Sequence, residues 1–528
     1  MSKRLRFFWH LSTALISKNI KILSIIFVLL IPIIFLLRPI VNANNKFFLN
    51  FLKPNYTEGV VGSVRTINPL FAENEAERLV NSLVFRGLIR VDSNGNILPD
   101  LAKEFEVKNK TEYIFHLRTD IYWHDGKKFT SGDVVHTIKT AQNPDLHSTI
   151  SGTFRGVEVS SEDSHTVKMK LMEPFAPFLS NLNIGIIPSH IPLKDYRPVG
   201  TGNFKVKKLT NDRVILEGDK LKITFKFYPN TEFAKLALKL GEVEGLGGLT
   251  GRDIEEFKDR VDLATYKKTL KRQFIAAFFN LRKPLLKDKG IRDSLTSAIN
   301  KEEILKTVAG TGSKLAVSSL PLNWQDESQY NKKLDFNLAD SKKTLLQNGW
   351  KYKDRSLEKN GEDFSLNIVV PDERELILIS DIVKENWKQL GVQISLRIVS
   401  SVELKEQILP SRQYDVLISS QVLSSDPDQY VLWHSTQTDL NNLTGLQSAK
   451  IDKLLEDART NLNLDQRKVK YNEFQRITLD ERPAIFLYFP EYNWLVKKKL
   501  SGIDLSDFAS SEDRFDSANT WLLKREIF

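Results

Sequence analysis

The sequence predicts an α/β fold of more than one domain-sized unit, preceded by a membrane-spanning helix. Three observations predict it. Phe364, Leu366, Ile368 and Val370 alternate as a strand, residues 373–390 follow as a long helix stopped by Gly391, and residues 392–399 form a second strand. Strand, long helix, strand is a βαβ unit, whose strands are parallel and near neighbours. The chain has 528 residues, too many for one hydrophobic core; about three or four units follow from that length. Residues 22–37 carry no charge. Extended to Val41, the run makes roughly 30 Å of helix, about the thickness of a bilayer's hydrocarbon.

The elements follow in order. Lys3, Arg4, Arg6, Lys18 and Lys21 precede the apolar run without an acid among them, which predicts a cytoplasmic N-terminus and an exported body. Arg38 can snorkel toward headgroups, and Pro32 is tolerable in a membrane helix. A cleavable signal peptide is the alternative, with Val41-Asn42-Ala43 as a small-residue cleavage site. The formal charge is +10, and half of it sits in that leader. The rest is a mixed-sign surface, so no nucleic-acid partner is expected. Hydrophobic residues at 41% and charged residues at 27% mark globular material. Cysteine is absent, which excludes disulfides, thiolate metal sites, a cysteine nucleophile and a lipid-bearing N-terminal cysteine.

Residues 42–57 read as a spacer. Leu79, Val80, Leu83 and Val84 have the spacing of an amphipathic helix. Asp92-Ser93-Asn94-Gly95 is a turn, and Tyr113, Phe115 and Leu117 alternate as a strand. Thr130 followed by Asp133 is a capping box that opens a helix. Residues 214–216 and 223–227 read as strands, residues 233–240 as a helix ended by Gly241, and residues 274–280 as an apolar strand. Residues 292–299 and 300–308 read as paired helices, with Asn300 as cap and Gly310 as stop. Residues 414–419 and 484–489 are further strands, and residues 451–458 and 467–479 further helices.

The stretch from Asn68 to Ile138 also carries a set of ordered motifs. They are Asn68-Pro69-Leu70, Leu83-Val84-Phe85 with Gly87-Leu88, Pro99 with Leu101-Ala102, Phe115 with Leu117-Arg118, Trp123-His124-Asp125-Gly126, and Phe129-Thr130 with Asp133-Val134-Val135. Together they resemble the extracytoplasmic solute-binding proteins of family 5, the oligopeptide, dipeptide and nickel class that serves ABC importers. Pro188-Ser189-His190 resembles that family's Pro-x-His-x segment. Gly200-Thr201-Gly202-Asn203-Phe204 resembles its Gly-Thr-Gly-Pro-Tyr motif, with Asn203 in place of the proline.

The resemblance implies a two-lobed periplasmic-binding-protein-like fold of type II with an extra inserted domain. The implied bounds are a leader at 1–21, an anchor at 22–41, a spacer at 42–57, and first-lobe pieces at 58–90, 191–272 and 490–528. The inserted domain spans 91–190 and the second lobe 273–489. The implied function is capture of a peptide or similar small solute between closing lobes and its delivery to ABC permease subunits. The protein would be a monomer with no cofactor and no metal, and not an enzyme. A solute sensor or envelope chaperone not coupled to transport is the alternative.

No serine elbow Gly-x-Ser-x-Gly, metalloprotease His-Glu-x-x-His or dinucleotide fingerprint is spelled out. His124 reads as part of a turn, with Trp123 packing inward. The candidate ligand residues are Gln421, Val422, Leu423, Ser424, Asp426, Trp433, Tyr488 and Phe489; Trp324 and Tyr492 are weaker aromatic candidates. In peptide-binding members an aspartate shortly before an Asp-Pro pair holds the ligand's α-ammonium. Here residues 421–425 contain no acid, so either Asp426 takes that role by a register shift or ammonium recognition is absent.

Overall fold

The computed structural model describes residues 53–329, 336–438 and 441–523. The leader and the membrane helix expected at residues 1–41 lie outside them. Among the described residues no helix is long and apolar enough to cross a membrane.

The chain enters with β1 (Asn55–Val61) and helix α1 (Glu75–Val84). Asn74 caps α1 by accepting from the Glu77 N–H, and Leu79, Val80, Leu83 and Val84 form its buried face. The turn at residues 92–95 then joins two short strands, with Gly95 at φ +88°. The chain next builds a separate four-stranded antiparallel sheet from β2 (Ala102–Lys108), β3 (Glu112–Leu117), β4 (Glu158–Asp163) and β5 (Thr166–Lys170), in the order β2-β3-β5-β4. Helix α2 (Ser131–Gln142) packs on it and opens on the predicted capping box. The Thr130 N–H donates to Asp133 Oδ2 at 2.9 Å.

Strands β6 (Lys205–Leu209), β7 (Arg213–Glu217) and β8 (Lys222–Tyr228), helix α3 (Thr231–Leu240), β9 (Gly245–Leu249) and β10 (Leu263–Thr269) return the chain to the sheet that β1 began. The second lobe follows. It comprises β11 (Gln273–Phe279), α4 (Lys289–Ser297), β12 (Lys314–Leu315), β13 (Ser365–Pro371), α5 (Arg374–Lys388), β14 (Gln393–Val399), β15 (Val416–Val422), α6 (Ala449–Thr460), α7 (Leu464–Glu481) and β16 (Ala484–Phe489). Strand β17 (Glu491–Lys497) then re-enters the first sheet.

Two large mixed sheets result. The first has the order β10-β17-β9-β1-β8-β7-β6 and the second β12-β16-β11-β15-β13-β14. The expected βαβ unit is present: β13 and β14 are parallel and adjacent, with Ser365 opposite Gln393, and Gly391 ends the intervening helix segment at φ +87°. One apolar cluster fills most of the first lobe together with the inserted sheet, and a smaller one lies between α3, β9 and the end of β17. Two others, on opposite faces of the second sheet, fill the second lobe. Strand β11 explains why that lobe has two cores. Its residues Gln273–Phe279 are apolar on both faces after the first position, as a central strand covered by helices on both sides must be.

The family-like motifs knit the inserted sheet to the first lobe. Trp123 is buried and its indole N–H donates to Asp133 Oδ2 at 3.2 Å. Asp133 Oδ1 accepts from the N–H and hydroxyl of Ser189, at 2.8 and 2.7 Å. His124 Nε2 lies 2.8 Å from the Gly202 carbonyl, while the Gly200 N–H donates to His124 Nδ1 at 3.3 Å. Burial lowers the His124 pKa, which suits a neutral ring that accepts at one nitrogen and donates at the other. Gly200 and Gly202 lie so close to the main chain of Leu83 and Val84 that a Cβ at either would collide with it. His124 is thus a structural strut, as the turn reading expects.

Candidate functional site

Two crossing connections run side by side between the lobes. One is Leu270-Lys271-Arg272 between β10 and β11; the other is Pro490 between β16 and β17. The Leu270 N–H donates to the Pro490 carbonyl at 2.9 Å. A third segment, Gly310 to Ser313, is clamped against them. The Glu491 carboxylate, fully covered, accepts from the Gly312 N–H; the Glu491 N–H donates to Ser313 Oγ at 2.9 Å; and Thr269 Oγ1 donates to the Gly312 carbonyl at 2.6 Å. Lys267 Nζ stands 3.6 Å from the other Glu491 oxygen. A Cβ on Gly312 would collide with Glu491 Oε2. Gly312→Ala is therefore expected to expel that carboxylate and to destabilise the protein by about 1–3 kcal/mol, an overpacking cost. Urea unfolding with an unchanged midpoint would refute the clamp.

Beside the crossing, Arg272 ties the two walls together. Its Nη1 donates to Ser425 Oγ and its Nη2 to Ser510 Oγ at 3.5 Å, and its guanidinium lies 3.7 Å from Asp513. The Leu423 N–H donates to the Arg272 carbonyl at 2.7 Å. Lys271 Nζ donates to Ser93 Oγ at 3.1 Å, and Asn323 Nδ2 to the Asn94 carbonyl at 2.8 Å. The acids at this seam come from the first lobe. The Ser93 N–H donates to Asp507 Oδ1, and Arg90 lies 4.0 Å from the same carboxylate. Burial, with Asp513 and Asp507 as negative neighbours, pushes the Asp516 carboxyl up to about 8. Burial raises Asp513 as well, against the pull of Arg272.

A carboxyl whose folded pKa lies above its unfolded value favours folding at low pH, and that contribution is lost as pH rises through the folded value. Asp516→Asn should therefore flatten the decline of thermal stability between about pH 4 and pH 8. An unchanged profile would refute the coupling.

A second set of contacts closes the lobes away from the crossing. The Ala176 N–H, after the inserted sheet, donates to the Arg459 carbonyl of α6 at 2.7 Å. The Arg459 guanidinium lies 5.1 Å from the Phe175 ring and 4.0 Å from the Tyr430 ring. Tyr430 in turn stacks on His434 at 4.0 Å. Arg459 also pairs with Asp428 at 2.9 Å. These contacts hold α6 against the segment that follows the inserted sheet.

The eight sequence candidates divide sharply. Gln421 and Val422 end β15 beside Arg272, with Val422 73% exposed; Leu423 and Ser424 follow the strand, and the Leu423 side chain is buried in the core. Asp426 faces the other way. Both its oxygens accept from Arg467, which is itself buried, so its charge is already neutralised from within the second lobe. Trp433 is 1% exposed and donates its indole N–H to Ser319 Oγ at 2.7 Å. It is a core side chain packed near Phe278, Phe474 and Phe486. Tyr488 and Phe489 are wholly buried on β16, next to the edge strand β12, and the Tyr488 hydroxyl donates to Glu375 Oε1 at 2.6 Å. These three aromatics and Asp426 belong to the fold rather than to an open wall. Arg272, Arg459, Phe175 and Glu491 escaped sequence reasoning. Each sits in an ordinary polar or loop context, and only the meeting of distant segments gives it a role.

Two α/β lobes joined by paired crossing strands, with an extra sheet inserted in the first, are the architecture of a protein that takes a solute between domains. The chain belongs to the bacterial extracellular solute-binding proteins of family 5, whose middle region matches residues 96–442. It is a solute-binding component of an ABC importer, with its body extracytoplasmic. It is 25% identical over 504 residues to the oligopeptide-binding protein AppA of Bacillus subtilis, covering 88% of this chain and 91% of that one. It is 25% identical over 462 residues to the dipeptide-binding protein of Escherichia coli, covering 77% of this chain and 83% of that one. Among solved structures it resembles the substrate-binding protein CtaP of Listeria monocytogenes, with a TM-score of 0.79 at 22% identity over 89% of this chain and 99% of that one.

Proposed function

We propose that this protein captures a peptide or similar small solute in the seam between its lobes and hands it to an ABC permease, with no covalent chemistry. The observation that carries this reading is the double closure: crossing strands pinned at Arg272 and Glu491, and a separate latch at Ala176, Phe175 and Arg459. Opening and shutting about the crossing would admit and trap the solute. Gln421, Val422, Leu423 and Ser424 are the proposed contacts in the second lobe, where strand-end N–H and C=O groups can hold a peptide backbone without strict side-chain choice. Asp426 is spent on Arg467, so the α-ammonium of a free peptide would not be paired there. The oligopeptide and dipeptide ligands named for the two relatives support the solute class.

The proposed bounds are residues 58–90, 191–272 and 490–528 for the first lobe, 91–190 for the inserted domain and 273–489 for the second lobe. Residues 22–41 are proposed to hold a monomeric body at the membrane, and the uncharged run 22–37 behind a basic leader supports this.

The latch gives a direct test. Phe175→Ala removes one cation–π contact of about 1 kcal/mol. It should weaken apparent peptide affinity roughly fivefold and enlarge the ligand-free protein in small-angle scattering. No change in size or thermal midpoint across a library of peptides would defeat the closing-lobe reading.

A further inference from the structure

Helix α3 buries Ala234, Ala237 and Leu238, yet it carries a second apolar stripe on its outer side. Phe233, Leu236 and Leu240, at i, i+3 and i+7, are 55%, 50% and 67% exposed. Lys235 on the opposite face is 1% exposed, held by Glu232, Asp253 and Glu256. A surface helix normally keeps its outer face polar and its charges outside. The exposed stripe ends at the edge of the first sheet formed by one end of its strands, where several segments meet. Arg260 Nη1 donates to the Lys239 carbonyl, and next to it Val261 is 83% exposed. The Lys498 N–H donates to the Asp262 carbonyl at 2.9 Å, placing the run Lys497-Lys498-Lys499 at the same edge. Glu244 and Asp262 there already pair with Lys499 and Arg260. The start of β1 is at this edge too: the Glu244 N–H donates to the Thr57 carbonyl at 2.7 Å, and the Thr57 N–H donates to Glu244 Oε2 at 3.0 Å.

From here the chain leads back, through residues 42–54, to the apolar run. Those thirteen residues can span roughly 45 Å at most. An apolar stripe rimmed by lysines, on a short tether to a membrane segment, matches the chemistry of a lipid interface, with apolar groups below and cations at the anionic headgroups. We propose that this face of the first lobe, α3 with the Val261 and Lys497–Lys499 turns, rests on the surface of the membrane. The proposal rests on the reading of residues 22–41 as an anchor. It implies that the first lobe is the stationary jaw and the second lobe moves.

The chain has no native cysteine, so single labels are unambiguous. Full-length Leu240→Cys and Val261→Cys, each carrying a polarity-sensitive dye, would be reconstituted in phosphatidylcholine vesicles with and without phosphatidylglycerol. Val469→Cys on α7, 69% exposed, serves as the control. The expected result is strong quenching of the first two dyes by brominated lipid, greater with phosphatidylglycerol, and little quenching at Val469. Phe233→Ser with Leu236→Ser should lose that quenching. Carbonate extraction is read on the same samples. A carbonate-resistant protein with unquenched dyes overturns the docking face and leaves the anchor standing. An extractable protein whose dyes are still quenched supports the face and overturns the anchor; an extractable protein with unquenched dyes overturns both. Shielding that needs added permease, or that appears without vesicles as concentration rises, assigns the face to another protein or a second copy and overturns the lipid reading.

Discussion

Asp426→Ala is expected to destabilise the second lobe by about 3–5 kcal/mol, the cost of leaving a buried cation without its partner. Arg467 is 2% exposed, and its Nη1 and Nη2 both donate to the Asp426 carboxylate, the first at 2.9 Å. The Tyr471 hydroxyl lies 3.3 Å from Nη2, and the guanidinium stands 5.6 Å from that ring. Neither can replace a charge. Arg467→Leu added to Asp426→Ala should recover much of the loss, because two apolar groups leave no orphan. Urea unfolding of the single and double variants measures this. It also separates the two readings of Asp426. A ligand-pairing aspartate would lose peptide affinity at unchanged stability, and that outcome would return Asp426 to the binding site.

The second large effect is expected in the first lobe. Glu58 is wholly buried on β1, and it accepts from the Tyr56 hydroxyl, from Trp494 Nε1 at 3.2 Å and from Arg514 Nε at 3.3 Å. Burial already raises its carboxyl pKa, and Arg514 is the main influence holding it down. Arg514→Met should cost about 3–5 kcal/mol at neutral pH and raise the folded pKa further. The sign then follows. A raised carboxyl favours folding below its unfolded value near 4.3, and that contribution fades as pH climbs toward the folded value. The variant should therefore lose less stability at pH 5 than at pH 8, measured by thermal midpoint against the unsubstituted protein. Glu58→Gln in the same background should abolish the difference. A loss equal at both pH values would show that Glu58 is not the group left stranded.

Much of the scaffold was readable from residues alone. The strand at 484–489 coincides with Ala484–Phe489, and Gly241, Gly310 and Gly391 all stand at positive φ where helical segments end. Thr130 with Asp133 formed its capping box, and Asn300 caps as expected. These are local signals: a period, a cap or a stop is written within a few residues and acts over the same few.

The candidate site was far less readable. The aromatic candidates went into the core because aromatic residues in strand patterns look alike whether they line a wall or fill a centre. Trp433 and Tyr488 were distinguished only by which neighbours closed over them. Asp426 looked available beside a proline turn until Arg467, forty-one positions away, took its charge. The same holds for α3. Its period marked a helix, but the pattern could not say that Lys235 would be drawn inward by three carboxylates while Leu236 and Leu240 stayed out.

By itself, then, the sequence determined the α/β class and the elements with a clear period or cap, because backbone propensity and hydrophobic period act between near neighbours; the family was legible separately, in its ordered motifs. Only the tertiary structure decided which charged groups are spent on the fold and which remain at the seam. A charge interacts with whatever the folded chain brings within a few ångströms of it, and that partner is as a rule remote along the chain.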